Sequence, residues 1–447
     1  MKTVRALVVV AVLGCGGPPS PGTPRPDPGV LVPRLFDPTD LYREMGFLAE
    51  AEPVPFVASV HFVAGPTPDT VFALVGISFA SNALSFRRAG PYFEARYRAE
   101  VTFEAAGRLA DQVAATEVVR VASFSETLRA DESIIFQQIA RVPPGSVDVR
   151  ITVRDLYGDQ VTRDERTMTV PRFESRALAA PVPVHRAAPR ADAGELPRLL
   201  INPRATAPFG RDSLRFYVEA YAAEMDSIAI VAMTGDGVVF WRRRVALEGG
   251  GAVRTARIGI APQDLPVGRL SVQAVGPGAD TVAVQALVSF SDQWTITSFH
   301  DVLELLRYYG PEETLDTLRN APPAERAERW RAFWGATDPA PATPRNEALE
   351  EYFHRVHEAN ARFHEAGQPG WLTDRGEVYI TLGAPDEVLD RRADFEGTRR
   401  VIRWVYVRER LTVDFIDDTG FGRFRMTPFA RSEFERVVRR RGREESS

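Results

Sequence analysis

Three of the six histidines lie close together in one predicted helix, at His354, His357 and His364. At about 100° per residue they fall within a sector of about 80° on the helix surface. The i, i+3 spacing of His354 and His357 is compatible with a shared metal ion, with Glu358 or Glu365 as a further ligand. The spacing is not H-E-x-x-H, and the three histidines lie beside the apolar face. A solvated helix flank is therefore the favoured interpretation, and we expect neither a metal nor another cofactor.

Carboxylates form a second candidate set in the same region, at Asp374, Asp386, Asp414, Asp417 and Asp418. If the predicted strands are neighbours, paired acids would suit general acid–base catalysis or a calcium site. Turns and helix starts use aspartate without any catalysis, and the D-x-[DN]-x-[DN]-G ligand order is absent. No G-x-S-x-G, Walker or dinucleotide motif occurs either. We therefore favour a protein that is not an enzyme, with an envelope hydrolase or metal-dependent enzyme as the alternative.

The most informative stretch runs from Gly370 to Glu387. We expect Trp371 to bury its ring under the preceding helix, while the side chains of Thr373 and Asp374 bond turn amides. Residues 374–376 are predicted to turn, and the alternation of Val378, Ile380 and Leu382 predicts a strand. Residues 383–387 are interpreted as a chain break followed by a short helix start. The residues singled out here are Gly370, Trp371, Thr373, Asp374, Arg375, Gly376, Gly383, Pro385 and Asp386.

The elements that position this stretch follow from hydrophobic periodicity. Period-two alternation, clearest over residues 93–104, predicts a β-sandwich at residues 53–173, and similar runs predict a second at residues 198–294. Residues 174–197 have no usable period and are expected to be a linker. Helical spacing begins near Thr297, and strands return before a charged helix or tail at residues 431–447. We therefore predict a mainly β chain with two antiparallel, immunoglobulin-like β-sandwich domains and a C-terminal α+β domain at residues 297–430, in which helices precede an antiparallel β-meander.

Composition and the N-terminus indicate where the protein acts. The chain has 447 residues, which suggests about three domains, and its net charge of -5 argues against a nucleic-acid partner. Residues 1–14 have the charged start and apolar run of a signal peptide, and the small residues before Cys15 resemble a bacterial lipobox. Residues 15–52 hold a Pro- and Gly-rich tether with a short helix. We expect acylated Cys15 to anchor the protein in a bilayer, on the periplasmic face of a bacterial membrane, with the outer membrane favoured.

The surroundings of Gly370, Trp371, Thr373 and Asp374 resemble the GWxTD domain family of bacterial envelope proteins. The resemblance covers residues 297–426 well and the β units before them more loosely. It implies an α+β module and carries over no established biochemical activity. A shorter likeness, at Leu382-Gly383-x-Pro385 and Trp404-Val405-Tyr406, is to small lipoproteins of the β-barrel assembly machinery, which are binding modules.

These expectations converge on a structural or protein-recognition role in the cell envelope. The expected partner is an envelope protein, bound by the C-terminal module. Glycan binding by the sandwiches is a further alternative, for which Tyr217 and Tyr221 are predicted to be exposed.

Overall fold

The protein is described from a computed structural model that places residues 32–33, 37–127, 133–173, 178–222, 224–276, 281–291, 295–310, 312–342, 346–365, 367–392 and 400–445. Strands make up 44% of the chain and helices 23%. The predicted fold class is confirmed: several antiparallel sheets precede C-terminal helices, which precede further strands. The predicted signal peptide, Cys15 and most of the tether lie outside the described residues.

The first two sheets lie in the N-terminal part of the chain, after helix α1 (Thr39–Glu44). One sheet has the spatial order β1 (Leu48–Glu50), β2 (Phe56–Ala64), β3 (Val71–Ala80), β7 (Ser133–Val142). The other has the order β4 (Arg87–Ala89), β5 (Tyr92–Ala105), β8 (Gly145–Asp155), β9 (Val161–Val170), and β6 (Arg108–Val121) pairs with β5. A short helix, α2 (Phe124–Thr127), follows β6.

Alternation explains why these sheets pack face to face. Along β5 the side chains of Ala95, Tyr97, Ala99, Val101 and Phe103 are buried in a cluster that includes residues of β2, β3, β7 and β8. The intervening side chains are charged or polar and line the outer surface. We call β1–β9 the first sandwich.

Nine strands form the second sandwich, β10–β18. One sheet has the order β11 (Leu199–Ile201), β10 (Val182–Ala187), β13 (Leu214–Ala220), β16 (Arg254–Ile260). The other has the order β12 (Thr206–Pro208), β18 (Val282–Ser289), β17 (Gly268–Val275), β14 (Ser227–Thr234), β15 (Val239–Ala246), with β12 parallel to β18. The interpretation of residues 174–197 as a plain linker is wrong, because β10 lies within them and pairs with both β11 and β13.

The C-terminal part begins with helices α3 (Phe299–Leu305), α4 (Glu312–Arg319), α5 (Arg326–Thr337) and α6 (Glu347–Arg362). Asn346 caps α6 by accepting a hydrogen bond from the amide of Leu349 at 3.0 Å. A 3-10 turn (Gly370–Leu372) and helix α7 (Asp374–Leu382) follow. The meander β19 (Glu387–Arg392), β20 (Arg400–Tyr406), β21 (Leu411–Asp417), β22 (Arg425–Met426) precedes the last helix, α8 (Pro428–Glu445).

Several local predictions in this part are wrong. Residues 374–376 begin a helix rather than a turn, and Val378, Ile380 and Leu382 lie on α7 rather than on a strand. Residues 383–387 lead into β19 instead of a helix. By contrast, residues 431–447, predicted to be a charged helix or tail, are helical as far as the structure describes them, and they bury Phe434 and Val437 against the rest of the module.

One hydrophobic cluster joins the second sandwich to the C-terminal module. It contains sandwich residues such as Val218 and Val288, helix residues such as Trp330 and Phe353, and Phe415 of the meander. The rings of Phe290 and Trp330 lie 4.6 Å apart across the boundary. A shared apolar core resists relative motion, because separating the parts would expose it to water.

A buried ion pair of the second sandwich is hydrogen-bonded to the first sandwich. The side chains of Arg190 and Glu219 are 2% and 0% exposed, and they form two hydrogen bonds of 2.7 Å. The remaining N–H groups of Arg190 donate to the carbonyl oxygens of Ala64, Ala193 and Glu195 at 2.7–2.9 Å. Ala64 belongs to the first sandwich and Glu219 to the second, so the guanidinium bridges them; we call this contact the joint.

Tyrosines complete the joint. The hydroxyls of Tyr217 and Tyr221 donate to the two oxygens of Glu219 at 2.8 and 2.7 Å. Tyr221 also accepts a hydrogen bond from the amide of Ala64 at 2.9 Å. The prediction that these tyrosines are exposed for glycan binding is wrong, because Tyr217 is fully buried and Tyr221 is half-buried.

Candidate functional site

The segment Gly370–Gly376, with the groups that touch it, forms the corner where α6 gives way to α7; we call it the motif corner. Its two glycines permit close backbone contacts. A Cβ atom on Gly370 would lie 2.3 Å from the carbonyl oxygen of Ala359, and one on Gly376 would lie 2.1 Å from the carbonyl oxygen of Gly370. Any larger residue at either position would displace backbone, so both glycines are required by packing.

Trp371 fills the space between these close contacts. Its side chain is 1% exposed and belongs to the cluster shared with the second sandwich. The guanidinium carbon of Arg307 lies 5.6 Å from its ring centroid, so α3 and the turn after it are held to the corner. Replacing Trp371 would therefore disturb the fold itself, which makes it a poor probe of partner binding.

Thr373 starts helix α7. Its hydroxyl accepts a hydrogen bond from the amide of Gly376 at 3.0 Å and donates to the carbonyl oxygen of Gly370 at 2.8 Å. The residue is fully buried. This is an N-cap, and it explains why the chain becomes helical here despite the alternating apolar residues that follow.

Asp374 holds the corner to the end of the meander. One carboxylate oxygen accepts a hydrogen bond from the amide of Met426 at 2.7 Å, and the other lies 3.3 Å from Arg431. Arg431 also pairs with Glu377 at 2.8 Å. Burial raises the pKa of Glu377, and its pairing with Arg431 opposes that shift. The first turn of α7 is thus tied to β22 and α8.

A second buried ion pair lies directly behind the corner. Glu365 is 0% exposed at its side chain and lies 3.2 Å from Arg375, which is 14% exposed. The same oxygen of Glu365 accepts a hydrogen bond from the amide of Phe424 at 3.2 Å. Arg375 stacks over the rings of Phe424 and Phe363 at 4.4 and 5.5 Å, and burial lowers its pKa while Glu365 opposes the shift.

This pair is incompletely satisfied. Among the described residues, the second carboxylate oxygen of Glu365 and the Nε of Arg375 have no hydrogen-bond partner. Buried polar atoms without partners are rare and costly, so this pair is less well satisfied than a typical buried contact. From the sequence, Arg375 was predicted to belong to the motif, whereas Glu365 was proposed only as a possible metal ligand. The contact itself, made across a turn, left no periodic signal.

The remaining motif residues shape the exit from α7. Gly383 has a φ of +86°, a conformation that favours glycine, and its carbonyl oxygen accepts a hydrogen bond from Tyr406 at 3.0 Å. Pro385 is half-buried beside it. Asp386 accepts a hydrogen bond from the amide of Val407 at 2.6 Å. This carboxylate thus ties the start of β19 to the residue that follows β20.

The structure gives each candidate carboxylate its own partners. Asp414 forms two hydrogen bonds with Arg403, at 2.7 and 2.8 Å. Asp417 accepts backbone hydrogen bonds from Thr419, Gly420 and Gly422 in the following turn. These contacts are those of turns and cross-strand pairs, and they lend no support to a catalytic cluster.

His354 and His357 lie on the exposed side of α6, and His364 is exposed just beyond the end of that helix. The side chain of His354 lies 3.9 Å from that of Glu358. The pKa of His357 is lowered, mainly by burial and secondly by the charge of the nearby His354. Within the described part of the chain, no group of three or more histidine, cysteine, aspartate or glutamate side chains is arranged to hold a metal ion. Also within that part, no helix has the length and apolar character needed to cross a membrane.

One edge of the meander is open to contact. Among the described residues β19 pairs only with β20, so its other side presents an unpaired strand edge. Val388 and Leu389 on this strand are 57% and 36% exposed, and Val407, next to Asp386, is 66% exposed. Exposed apolar residues on an edge strand are suited to pairing with another chain. We call residues 387–392 the β19 edge.

Comparison with known proteins identifies one family. Residues 278–421 match the model of the GWxTD domain. No curated protein matches the chain.

Among solved structures, the chain is similar to a red sea bream transglutaminase, with 7% identity and a TM-score of 0.18 over 56% of this chain and 33% of that one. An alpha-2-macroglobulin of E. coli shows 11% identity and a TM-score of 0.19 over 54% of this chain and 16% of that one. Fibronectin(III)-like modules of Clostridium thermocellum CbhA show 10% identity and a TM-score of 0.15 over 52% of this chain and 93% of that one. The chain thus covers a third or less of the first two proteins, and we base no inference on these similarities.

Proposed function

The chain contains a GWxTD domain, and we propose that it is a lipid-anchored structural protein of the bacterial cell envelope whose GWxTD module binds a protein partner. The N-terminal sequence supports the location, because an apolar run precedes Cys15 and a Pro-rich spacer follows it. The expected setting is the periplasmic face of a membrane, with the outer membrane favoured.

Continuous packing supports the structural part of the proposal. The joint ties the two sandwiches together through the hydrogen bonds of Arg190 and Tyr221 with Ala64, and one apolar cluster runs from the second sandwich into the module. A chain built in this way holds its C-terminal module in a fixed orientation relative to the sandwiches. Such rigidity suits a protein that presents a binding surface, because less conformational freedom is lost on binding.

The observation that carries the recognition part is the β19 edge. An edge strand offers N–H and C=O groups that an extended segment of another protein pairs with, while alternate side chains occupy surface sites. Val388 and Leu389 supply the apolar contacts. We infer that the partner contributes a short extended segment with apolar residues opposite these two positions.

The test is affinity purification from solubilised envelopes, followed by a binding measurement with each captured protein. The variant Leu389→Asp, alone and with Val388→Asp, should weaken binding by roughly tenfold or more, because a charge would be buried against the apolar contact. The matched control is Val239→Asp on β15, which is also an edge strand with an exposed valine. Circular dichroism checks that each variant folds. Equal binding by the wild type and the β19 variants would refute the β19 edge as the binding surface.

A further inference from the structure

Three buried polar side chains share one face of the first sandwich. Ser59 and His61 alternate along β2, and Ser78 lies on β3 opposite Val57. Because side chains of one strand alternate between faces and directly opposed residues share a face, all three point the same way. They are 4%, 9% and 1% exposed, and among the described residues Ser59 Oγ, His61 Nε2 and Ser78 Oγ have no hydrogen-bond partner.

This face is turned toward the second sandwich. Val63, two positions beyond His61, packs in a cluster with Val182, Ile201 and Tyr217 of that sandwich. Gly76 lies opposite Ser59 and approaches the second sandwich closely. A Cβ atom added to Gly76 would lie 3.0 Å from the side chain of Ile201. The contact between the sandwiches therefore buries three polar groups against largely apolar neighbours. Water would satisfy all three if the contact opened.

The charged groups at this contact include those of the joint and Arg141 on β7, which lies opposite Phe72 of β3 with its guanidinium carbon 5.7 Å from that ring. Arg190 and Glu219 neutralise each other and hold β2 at Ala64, where Tyr221 also bonds. The residue directly opposite His61 on β3 is Leu74, which is apolar.

His61 is therefore held neutral by its surroundings. Burial alone lowers its pKa to about 4, and no charged group contributes to that shift. The histidine of the neighbouring sheet, His185 on β10, is exposed and lies near Arg215 and Asp212.

We propose that the contact between the two sandwiches is an acid-sensitive joint, in which protonation of His61 opens the interface while each sandwich remains folded. The hydrogen bonds that join Arg190 and Tyr221 to the backbone of Ala64 favour the closed form. The buried serines and the histidine oppose it, and protonation of the imidazole increases that opposition.

The direction of the pH effect follows from linkage. In the open form the imidazole titrates near 6.5, and in the closed form near 4. The open form therefore binds the proton more readily, and the closed joint is fully stable only above pH 6.5. Below pH 6.5 the equilibrium constant for closing falls by about tenfold for each pH unit. Below the pKa of the imidazole in the closed form it becomes constant, after a total fall of about 300-fold.

The experiment measures the distance between the sandwiches in the full chain as pH is lowered. Cys15→Ser removes the only native thiol. Leu109→Cys on the first sandwich and Val238→Cys on the second, which are 61% and 59% exposed, then carry a donor and an acceptor dye. Energy transfer should fall between about pH 6.5 and about pH 4.5 while far-UV circular dichroism is unchanged.

Variants distinguish His61 from other titrating groups. With His61→Gln the energy transfer should not change over this range, because the amide does not titrate, and His185→Gln should behave as the wild type. If His61→Gln does not fold, His61→Leu is the second variant, with the same expectation. Constant energy transfer in the wild type, an equal fall in the His61 variant, or loss of secondary structure together with the change in energy transfer would each overturn the proposal.

Discussion

Two buried pairs of arginine and glutamate, one in the joint and one in the motif corner, differ in how completely their hydrogen-bonding groups are satisfied. In the joint, Arg190 donates all of its N–H groups, and both oxygens of Glu219 accept from Arg190 and from a tyrosine. In the motif corner, Arg375 and Glu365 share one contact of 3.2 Å, and each keeps an atom without a partner among the described residues.

The difference shows what each pair contributes. The free-energy cost of removing two charges from water is offset only when the pair has good geometry and its remaining hydrogen-bonding groups are satisfied. The joint meets that condition, and it lies where the two sandwiches meet. The corner does not meet it, and its stability rests instead on Trp371, two close-packed glycines and the cap at Thr373.

The largest effect should come from Glu219→Gln. It leaves the guanidinium of Arg190 buried without its counter-charge, which should lower the free energy of unfolding by about 3–5 kcal/mol. Denaturant unfolding measures the change. The matched control is Glu248→Gln, whose pair with Arg257 is about half exposed on both sides and should change stability by less than about 1 kcal/mol. A loss at Glu219 as small as that of the control would contradict the description of the joint.

Removing the corner's packing should cost nearly as much. Trp371→Ala deletes a fully buried ring from the cluster that reaches the second sandwich, with an expected loss of about 3–5 kcal/mol. Trp371→Phe should lose clearly less, because the aromatic ring is partly retained. Thermal unfolding by calorimetry resolves these two variants, and equal losses for both would show that the ring is not the element that holds the corner.

The corner pair should be less sensitive than the joint. Glu365→Gln keeps an acceptor for the amide of Phe424, and Arg375 stays partly exposed and stacked on aromatic rings. The expected loss is about 1–3 kcal/mol in the same denaturant assay. A loss equal to or larger than that of Glu219→Gln would mean that the two pairs have the same role, and the comparison between them would fail.

The helix cap should have the smallest effect of the series. Thr373→Ala removes the oxygen that accepts from Gly376 and should lower stability by about 1 kcal/mol. Thr373→Ser retains a hydroxyl at this position and should lose only part of that stability. If both variants are as stable as the wild type in denaturant unfolding, α7 does not depend on its cap.

The fold could be predicted from the sequence where one face of a strand or helix is exposed to solvent and the other is buried. Residues 93–104 alternate because β5 has one buried and one solvated face, and α6 shows its apolar stripe for the same reason. Helix α7 was predicted as a strand because Gly376, Val378, Tyr379, Ile380 and Leu382 are all buried, so no helical period remains. Its N-cap, Thr373, was the signal in the sequence that indicated a helix.

Other features depended on contacts between distant residues. Arg190 reaches Ala64 across 126 positions, and its neighbours in the sequence resemble an ordinary linker. Strand β6 went unpredicted because its inner face is only partly buried and its apolar and polar residues do not alternate strictly. The motif residues were identified from the sequence, whereas the β19 edge emerged only from the order of strands in the meander.

The central claim is that the motif corner is a structural support and that recognition occurs at the β19 edge. Site-specific photocrosslinking tests it most directly. A photoreactive phenylalanine derivative is placed at Leu389, and at Val239 as the matched edge position in the second sandwich. We predict that irradiated envelopes yield a discrete protein adduct from position 389 and none from position 239. Adducts of the same identity and yield from both positions, or none from position 389 in a folded and correctly located protein, would contradict the account.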